Sequence, residues 1–422
     1  MTRDIPTADG APAGSWKLKL AFVWGGELVS TLTSSILQMG FIWHITLSTG
    51  SAGMLSLASL AGFLPMALLG AFAGTVVDRL PLKRVLIGAD LFIAAVSAAV
   101  AVASLSGALP AWAVVAALFL RAIGTAFYTP ASQALTPHLA PAALLTRLAG
   151  VTQAVQSGGY ILGTAAAAVI YPLWGLTAMV ALDVAGALVA SAAVALARID
   201  AGGNPSGRAG GGVASLVRGL ASETREGYRE LRGYRGLFAL MWCGFAFTIV
   251  FSPVSALFPL MTLDRFGGTT GDAATVEIAF SAGLIIGSAL LAATGGFRNR
   301  ALTVVAATAL FGAATCVSGL LGTDGFPLFV AMSLLMGVSS PFFSGAQTSL
   351  MQEKVRPECL GRVFGLYGAI MSWAMPVGLV FSSLFADAVG AAPWFAGAGA
   401  IMMALAAVTW LIPSIRGIER ER

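Results

Sequence analysis

Ionisable side chains stand inside long apolar runs of this sequence, among them Glu27, Arg121, Asp183 and Glu277. A charge at bilayer depth costs roughly 2.5–3.5 kcal/mol even on insertion scales, so each of these groups needs a partner or a purpose. The chemistry open to them is charge pairing and proton exchange, because a carboxyl group moved between dry and wet surroundings loses and regains its proton. Glu27, a turn or two into the first run, is the natural carboxylate for that exchange; a side chain that merely snorkels to the interface is the alternative. A second concentration of charge lies outside the runs, in "GAFAGTVVDRLPLKR" (70–84), where Asp78, Arg79, Lys83 and Arg84 fall within seven positions.

The elements that must hold these residues follow from composition. Of 422 residues, 57% are hydrophobic and 10% charged, far from a soluble domain, and a lipid bilayer is the expected solvent. Runs of the roughly 20 apolar residues that a hydrocarbon core demands are placed at 20–46, 52–77, 85–106, 110–130, 147–171, 175–197, 237–262, 273–294, 301–322, 326–350, 361–386 and 391–413. With the N-terminus assigned to the cytoplasm, 22 of the 24 Lys and Arg residues fall in cytoplasmic segments, leaving Arg265 in an outer loop and Arg121 within a span. The first role of the 70–84 loop is therefore topological, and both termini are expected in the cytoplasm of a cell whose plasma membrane the chain crosses repeatedly. No apolar signal core precedes the first span.

The chain divides into a tail (1–19), a six-helix bundle (20–197), a linker (198–236), a second six-helix bundle (237–413) and a second tail (414–422). The linker opens Gly-rich and continues with Leu216, Leu220, Tyr228 and Leu231 near helical spacing among arginines, a tether followed by a basic interfacial helix or a plain solvated connector. The bundles echo each other: Arg147, Gly150 and Gly163 are matched by Arg362, Gly365 and Gly378 at a constant offset. Duplicated bundles of this kind carry a substrate site between halves near the midplane and work by rocking one half against the other. The expected class is an all-α membrane protein of twelve transmembrane helices in two pseudo-symmetric six-helix bundles.

At these residues the chain resembles the major facilitator superfamily. Gly74, Asp78, Arg79, Lys83 and Arg84 resemble the family's cytoplasmic loop motif between the second and third helices, with "LP" in place of the usual glycine after Asp-Arg. "FIWHITLSTGSAG", "RAIGTAFYTPASQAL", "LDVAGALVASAAVALARI" and "ETREGYRELRGYRGL" resemble the twelve-helix drug:proton antiporter branch that includes macrolide efflux proteins and siderophore exporters. The resemblance implies secondary active export of an amphipathic small molecule by proton antiport, with rocker-switch alternating access. Proton-coupled or facilitated uptake of a small metabolite is the alternative, and a nontransporting membrane sensor a more distant one.

Roles for particular residues follow from the likeness. Arg121 resembles the arginine that the superfamily's antiporters use in proton coupling, and its repeat mate is an aliphatic position near Leu334. Glu277 matches an acid common in the branch and joins Glu27 as a proton or cation site, with an interfacial anchor as the alternative. Asp183 also matches, and a helix-packing hydrogen bond is its expected role. The loop charges would form a conformational latch, with Asp90 as a further member and helix-end anchoring as the plainer reading. Gly159 and Gly163 resemble the antiporter motif of the fifth helix, with Thr164 where proline is usual, and keep its close helix packing. Pro253, Pro259, Pro341 and Pro376 mark expected kinks.

Gln38, Trp43, Gln153, Gln156, Tyr160, Trp242, Phe247, Tyr367 and Trp373 lie on spans that line the cavity of the resembled fold, and together they fit an amphipathic, aromatic-tolerant substrate. No Walker loop, dinucleotide fingerprint, zinc-helix motif or nucleophile elbow is present, so an enzyme is not expected. Two histidines and three scattered cysteines fit neither a metal site nor a disulfide framework. The expected partners are a small-molecule substrate, protons and lipid, with no cofactor, no nucleic acid and no second copy of the chain.

Overall fold

Backbone N–H and C=O groups find no water in hydrocarbon, so apolar runs of this length fold as helices that satisfy those groups internally. The computed structural model describes residues 15–77, 80–105, 109–139, 145–197, 225, 228–294 and 299–418. Four helices come first: α1 (Ser15–Thr49), α2 (Ala52–Val77), α3 (Leu82–Leu105) and α4 (Ala111–Leu139). A continuous helical run, Leu145–Leu196, follows where two spans are expected, and it is broken at Gly175 with φ 69° and ψ −174°. That backbone conformation is essentially reserved for glycine, and Pro172 just before it cannot donate to the helical ladder. The break separates α5 from α6.

The second half comprises α7 (Arg235–Leu260), α8 (Thr270–Thr294), α9 (Arg300–Leu320), α10 (Phe326–Lys354), α11 (Pro357–Val389), α12 (Ala391–Leu411) and a final turn, α13 (Pro413–Arg416). Among the described residues, eleven helical runs are long and apolar enough to cross a membrane; dividing the longest at Gly175 gives the twelve expected. The helices pass through Pro253, Pro341 and Pro376, whereas α7 loosens just past Pro259 into a π-turn over Met261–Arg265. Arg265, at the end of that π-turn, closes the end of α9: its Nε and Nη2 donate to the Leu321 carbonyl at 3.1 and 2.9 Å.

Two compact units emerge, one of residues 1–44 and 61–209, the other of 45–60 and 210–422. They follow the sequence halves except over 45–60, the end of α1 and the first turns of α2, which pack with the second unit. The cause is Asp387, near the end of α11. Its carboxylate accepts from Ser51 Oγ at 2.8 and 3.0 Å and from the Gly53 backbone N–H at 2.9 Å, and Ser51 Oγ in turn accepts from the Met54 N–H at 3.0 Å. Asp387 thus caps the N-terminus of α2 from a distant helix, where the exposed backbone donors favour an anion. Below it the buried hydroxyls of Ser56 and Ser382 are in hydrogen-bond contact.

In the second unit α7 packs on α11, α8 on α10 and α9 on α12. The described end of the linker docks there too. Leu231 is buried with Ile415 and Ile418, and Glu230 receives Arg356 in a bidentate pair at 2.8 and 2.9 Å. Hydrogen bonding to Glu230, and secondarily its charge, holds the Arg356 guanidinium above its ordinary pKa. Leu216 and Leu220 of the expected interfacial helix lie outside the described residues. The Asp387 cap predicts that Asp387→Ala frees the Gly53 amide. A cap of about 1 kcal/mol corresponds to roughly fivefold faster amide exchange at that position, read by hydrogen–deuterium exchange with unchanged protection in mid-α2 as the control.

Candidate functional site: a buried ionic network in the first unit

The first unit solves the cost of a buried cation by pairing it. Arg121, on α4 and 7% exposed, meets Asp183, on α6 and 1% exposed. Nη1 donates to Asp183 Oδ2 and to Ser97 Oγ on α3, and Nη2 donates to Asp183 Oδ1 at 3.2 Å and to Ser34 Oγ on α1 at 3.3 Å. The serines bond the carboxylate as well, Ser34 Oγ to Oδ1 at 2.8 Å and Ser97 Oγ to Oδ2 at 2.7 Å. Four helices therefore converge on one guanidinium–carboxylate pair in which both carboxylate oxygens are satisfied. A pair so bonded is tolerated in a dry interior, whereas either member alone would not be.

Asp183 enters this network as the counter-ion of Arg121, a larger role than the packing hydrogen bond expected of it. A signal for the pairing exists in the spans. Both residues lie on even-numbered helices that run in the same direction, about eleven and eight residues from their starts, so they differ in depth by only about 5 Å at 1.5 Å per residue. Ser34 and Ser97 carry no such signal, since nothing distinguishes them from other small polar residues in apolar runs.

A second node lies on the same unit. Glu27 is buried, 4% exposed. Its Oε1 accepts from Gln156 Nε2 on α5 at 3.0 Å and from Ser132 Oγ on α4 at 3.3 Å. Close packing of α1 on α5 brings this about: a Cβ on Gly163 would sit 2.5 Å from the Leu32 carbonyl oxygen, and one on Gly159 3.0 Å from the Thr31 side chain. The glycines let the two backbones approach until Gln156 reaches Glu27.

Asp78 and Arg79 lie outside the described residues, and Gly74 is half-buried on α2. Lys83 Nζ donates to the Ala195 carbonyl at 2.8 Å, at the C-terminal turn of α6 where a cation complements the free carbonyls, while Arg84 is exposed. Asp90 is buried on α3, 3% exposed. In the second unit, Glu277 is half-buried on α8, and Arg300, the first residue of α9, pairs with Glu353 at 2.8 Å.

The nine expected cavity residues divide between the two units. In the first unit Trp43 is fully buried edge-on against Tyr171, ring centroids 5.6 Å apart; Gln38 is half-buried, Gln156 serves Glu27, and Tyr160 is exposed. The Gln153 side chain lies outside the described residues. In the second unit Phe247 is buried among Phe251, Phe311 and Phe343, with centroids 4.6–6.2 Å away. Tyr367 donates its hydroxyl to Gln347 Oε1 at 3.1 Å, and Gln347, itself buried, donates Nε2 to the Leu240 carbonyl at 3.2 Å. Trp242 and Trp373 are 44% and 43% exposed. Gln347, which links α10 to α7 and α11, is the polar centre of this unit.

Comparison with known proteins places this arrangement. The model of the Major Facilitator Superfamily matches residues 23–374, most of the chain. This chain belongs to the major facilitator superfamily. Its superfamily relatives include Macrolide efflux protein A of Streptococcus pyogenes, 45% identical over 405 residues that cover 96% of this chain and 98% of the relative. The Enterococcus faecalis protein of the same name is 46% identical over 330 residues, 78% of this chain and 100% of the relative. The multidrug efflux pump Tap of Mycolicibacterium fortuitum is 27% identical, covering 95% and 97%. The major facilitator fold is shared with the POT family transporter PepTSo, at a TM-score of 0.72, 12% identity and coverage of 96% and 99%.

The glycine contact between α1 and α5 gives a direct test. Gly163→Val forces a branched side chain onto the Leu32 carbonyl, an overpacking cost of about 1–3 kcal/mol, and separates Gln156 from Glu27. The expected result is a lower melting temperature for the purified protein than for Gly62→Val, where a Cβ meets nothing within 4 Å.

Proposed function

We propose that the protein exports amphipathic small molecules of the macrolide class by proton antiport, exposing its substrate site to each side of the plasma membrane in turn. The observation that carries this reading is the 45% identity to a macrolide efflux protein, sustained over 96% of the chain. The ionic network supports the antiport half of the proposal. Arg121 is held by a single carboxylate and two serines, so a change in the protonation of the surrounding acids alters the balance of charge in a dry interior. Glu27 is the first-unit acid proposed to exchange the proton, because its two partners are neutral donors that suit a carboxylate and do not neutralise it. Glu277 is proposed for the same chemistry in the second unit.

In this reading the protein works as a monomer with both termini in the cytoplasm, and the 70–84 charges steady the state closed on that side. The aromatic surfaces of Trp242 and Trp373, and the polar edges of Gln38 and Tyr160, are proposed to meet substrate. The alternative of uptake predicts the opposite gradient dependence. Everted membrane vesicles from cells expressing the protein are expected to accumulate radiolabelled erythromycin only when their lumen is more acidic than the bath, because protons leaving the lumen then exchange for substrate entering it. Accumulation driven by an alkaline lumen would overturn export by antiport. Arg121→Ala is expected to abolish the gradient-driven component.

A further inference from the structure

The three acids among the described residues of the first unit are not treated alike. Glu27 accepts two hydrogen bonds, and both oxygens of Asp183 are bonded to Arg121 and a serine. Asp90, only 3% exposed, has an oxygen, Oδ2, that is buried with no hydrogen-bond partner. A bare carboxylate oxygen in a low-dielectric interior is among the costliest arrangements a protein can hold, and a neutral carboxyl group removes most of that cost.

The groups that face Asp90 add to the demand. Glu27 from α1 and Asp183 from α6 lie within electrostatic range of it, and the Tyr128 phenol from α4 lies within range of both Asp90 and Glu27. The cation of the network, Arg121 on α4, is committed to Asp183 through both terminal nitrogens. On α3 itself, Lys83 is tied to the Ala195 carbonyl and Arg84 is exposed. Asp78 and Arg79 of α2 and its loop lie outside the described residues. Two acids and a phenol thus surround Asp90, and the described bases are engaged elsewhere or turned to the surface.

We propose that Asp90 is a proton-carrying group of the transport cycle, neutral in the conformation described here and discharged when rearrangement of the helices offers its free oxygen a donor or water. The step is a plain proton transfer: the Asp90 O–H bond breaks, the proton leaves to water, and the carboxylate remains until it is protonated again. This assignment separates Asp90 from the loop latch, since a latch member would be ionised and paired. It rests on the antiport reading above and gives that reading a carrier in addition to Glu27.

Infrared difference spectroscopy on the purified full-length transporter at neutral pH tests it. A protonated-carboxyl stretch is expected in the parent, lost in Asp90→Asn and retained in Glu27→Gln. A band that persists unchanged in Asp90→Asn overturns the proposal. Should that variant not purify, Asp90→Glu is expected to shift the band, and an unmoved band again counts against Asp90. Proton release on addition of erythromycin, followed with a pH indicator, is expected in the parent and lost in Asp90→Asn; equal release from both overturns the assignment. The two readings fail separately: vesicles of the parent that ignore the pH gradient defeat antiport, whereas gradient-driven vesicles with an Asp90-independent band defeat only the role of Asp90.

Discussion

The arrangement of the first unit depends on one constraint, that a guanidinium cannot stay charged in a dry interior without a carboxylate against it. Arg121 and Asp183 meet this condition by drawing α1, α3, α4 and α6 to a common point, with Ser34 and Ser97 supplying the remaining bonds. Removing one member of such a pair costs about 3–5 kcal/mol because the other is left unpaired. The serines are small enough to let the helices close on the pair, and the glycines of α5 allow α1 to approach from the other side. Charge and packing are therefore parts of the same solution: the network exists where the backbones come close, and the backbones can come close because small residues line the contact.

The two units spend their interiors differently. The first holds Glu27, Asp90, Arg121 and Asp183; the second holds aromatic side chains, with Phe247, Phe251, Phe311 and Phe343 in one group and Phe258, Phe329 and Phe395 in another. Its polar centre is neutral, the Gln347–Tyr367 hydrogen bond anchored on the Leu240 carbonyl. A duplicated architecture has thus been specialised. Among the described residues, the fully buried ionisable groups are gathered in one copy and most of the buried aromatic rings in the other. At the repeat mate of Arg121, Leu334 is 37% exposed, so no trace of the cation remains there.

Much of the fold was legible in the sequence because hydrocarbon imposes a length and a composition on every crossing. The twelve runs, the long connector and the isolated position of Arg121 all follow from counting. The break at Gly175 was legible as a boundary between two spans, although not as a kink within one helical run. Contacts between distant helices were harder to see. Asp387 reads as one more acid near a helix end, and only the fold shows that it caps α2 and draws 45–60 into the second unit. Asp90 joins the loop charges through the family likeness, and its burial six residues past the exposed Arg84 is visible only in the fold. Aromatic residues were the least legible, because the same type in an apolar run serves equally as core, like Trp43 and Phe247, or as exposed surface, like Trp242 and Trp373.

The dependence of the first unit on its ion pair is tested most directly by a double-mutant cycle on thermal stability, with Arg121→Leu, Asp183→Leu and the two combined, measured on the purified protein. Each single substitution strands a buried charge, so the account predicts a large loss in either and substantial recovery in the double variant, with a coupling energy of about 1–3 kcal/mol. A double variant whose loss equals the sum of the two single losses would contradict it, because the residues would then be stabilising the unit independently.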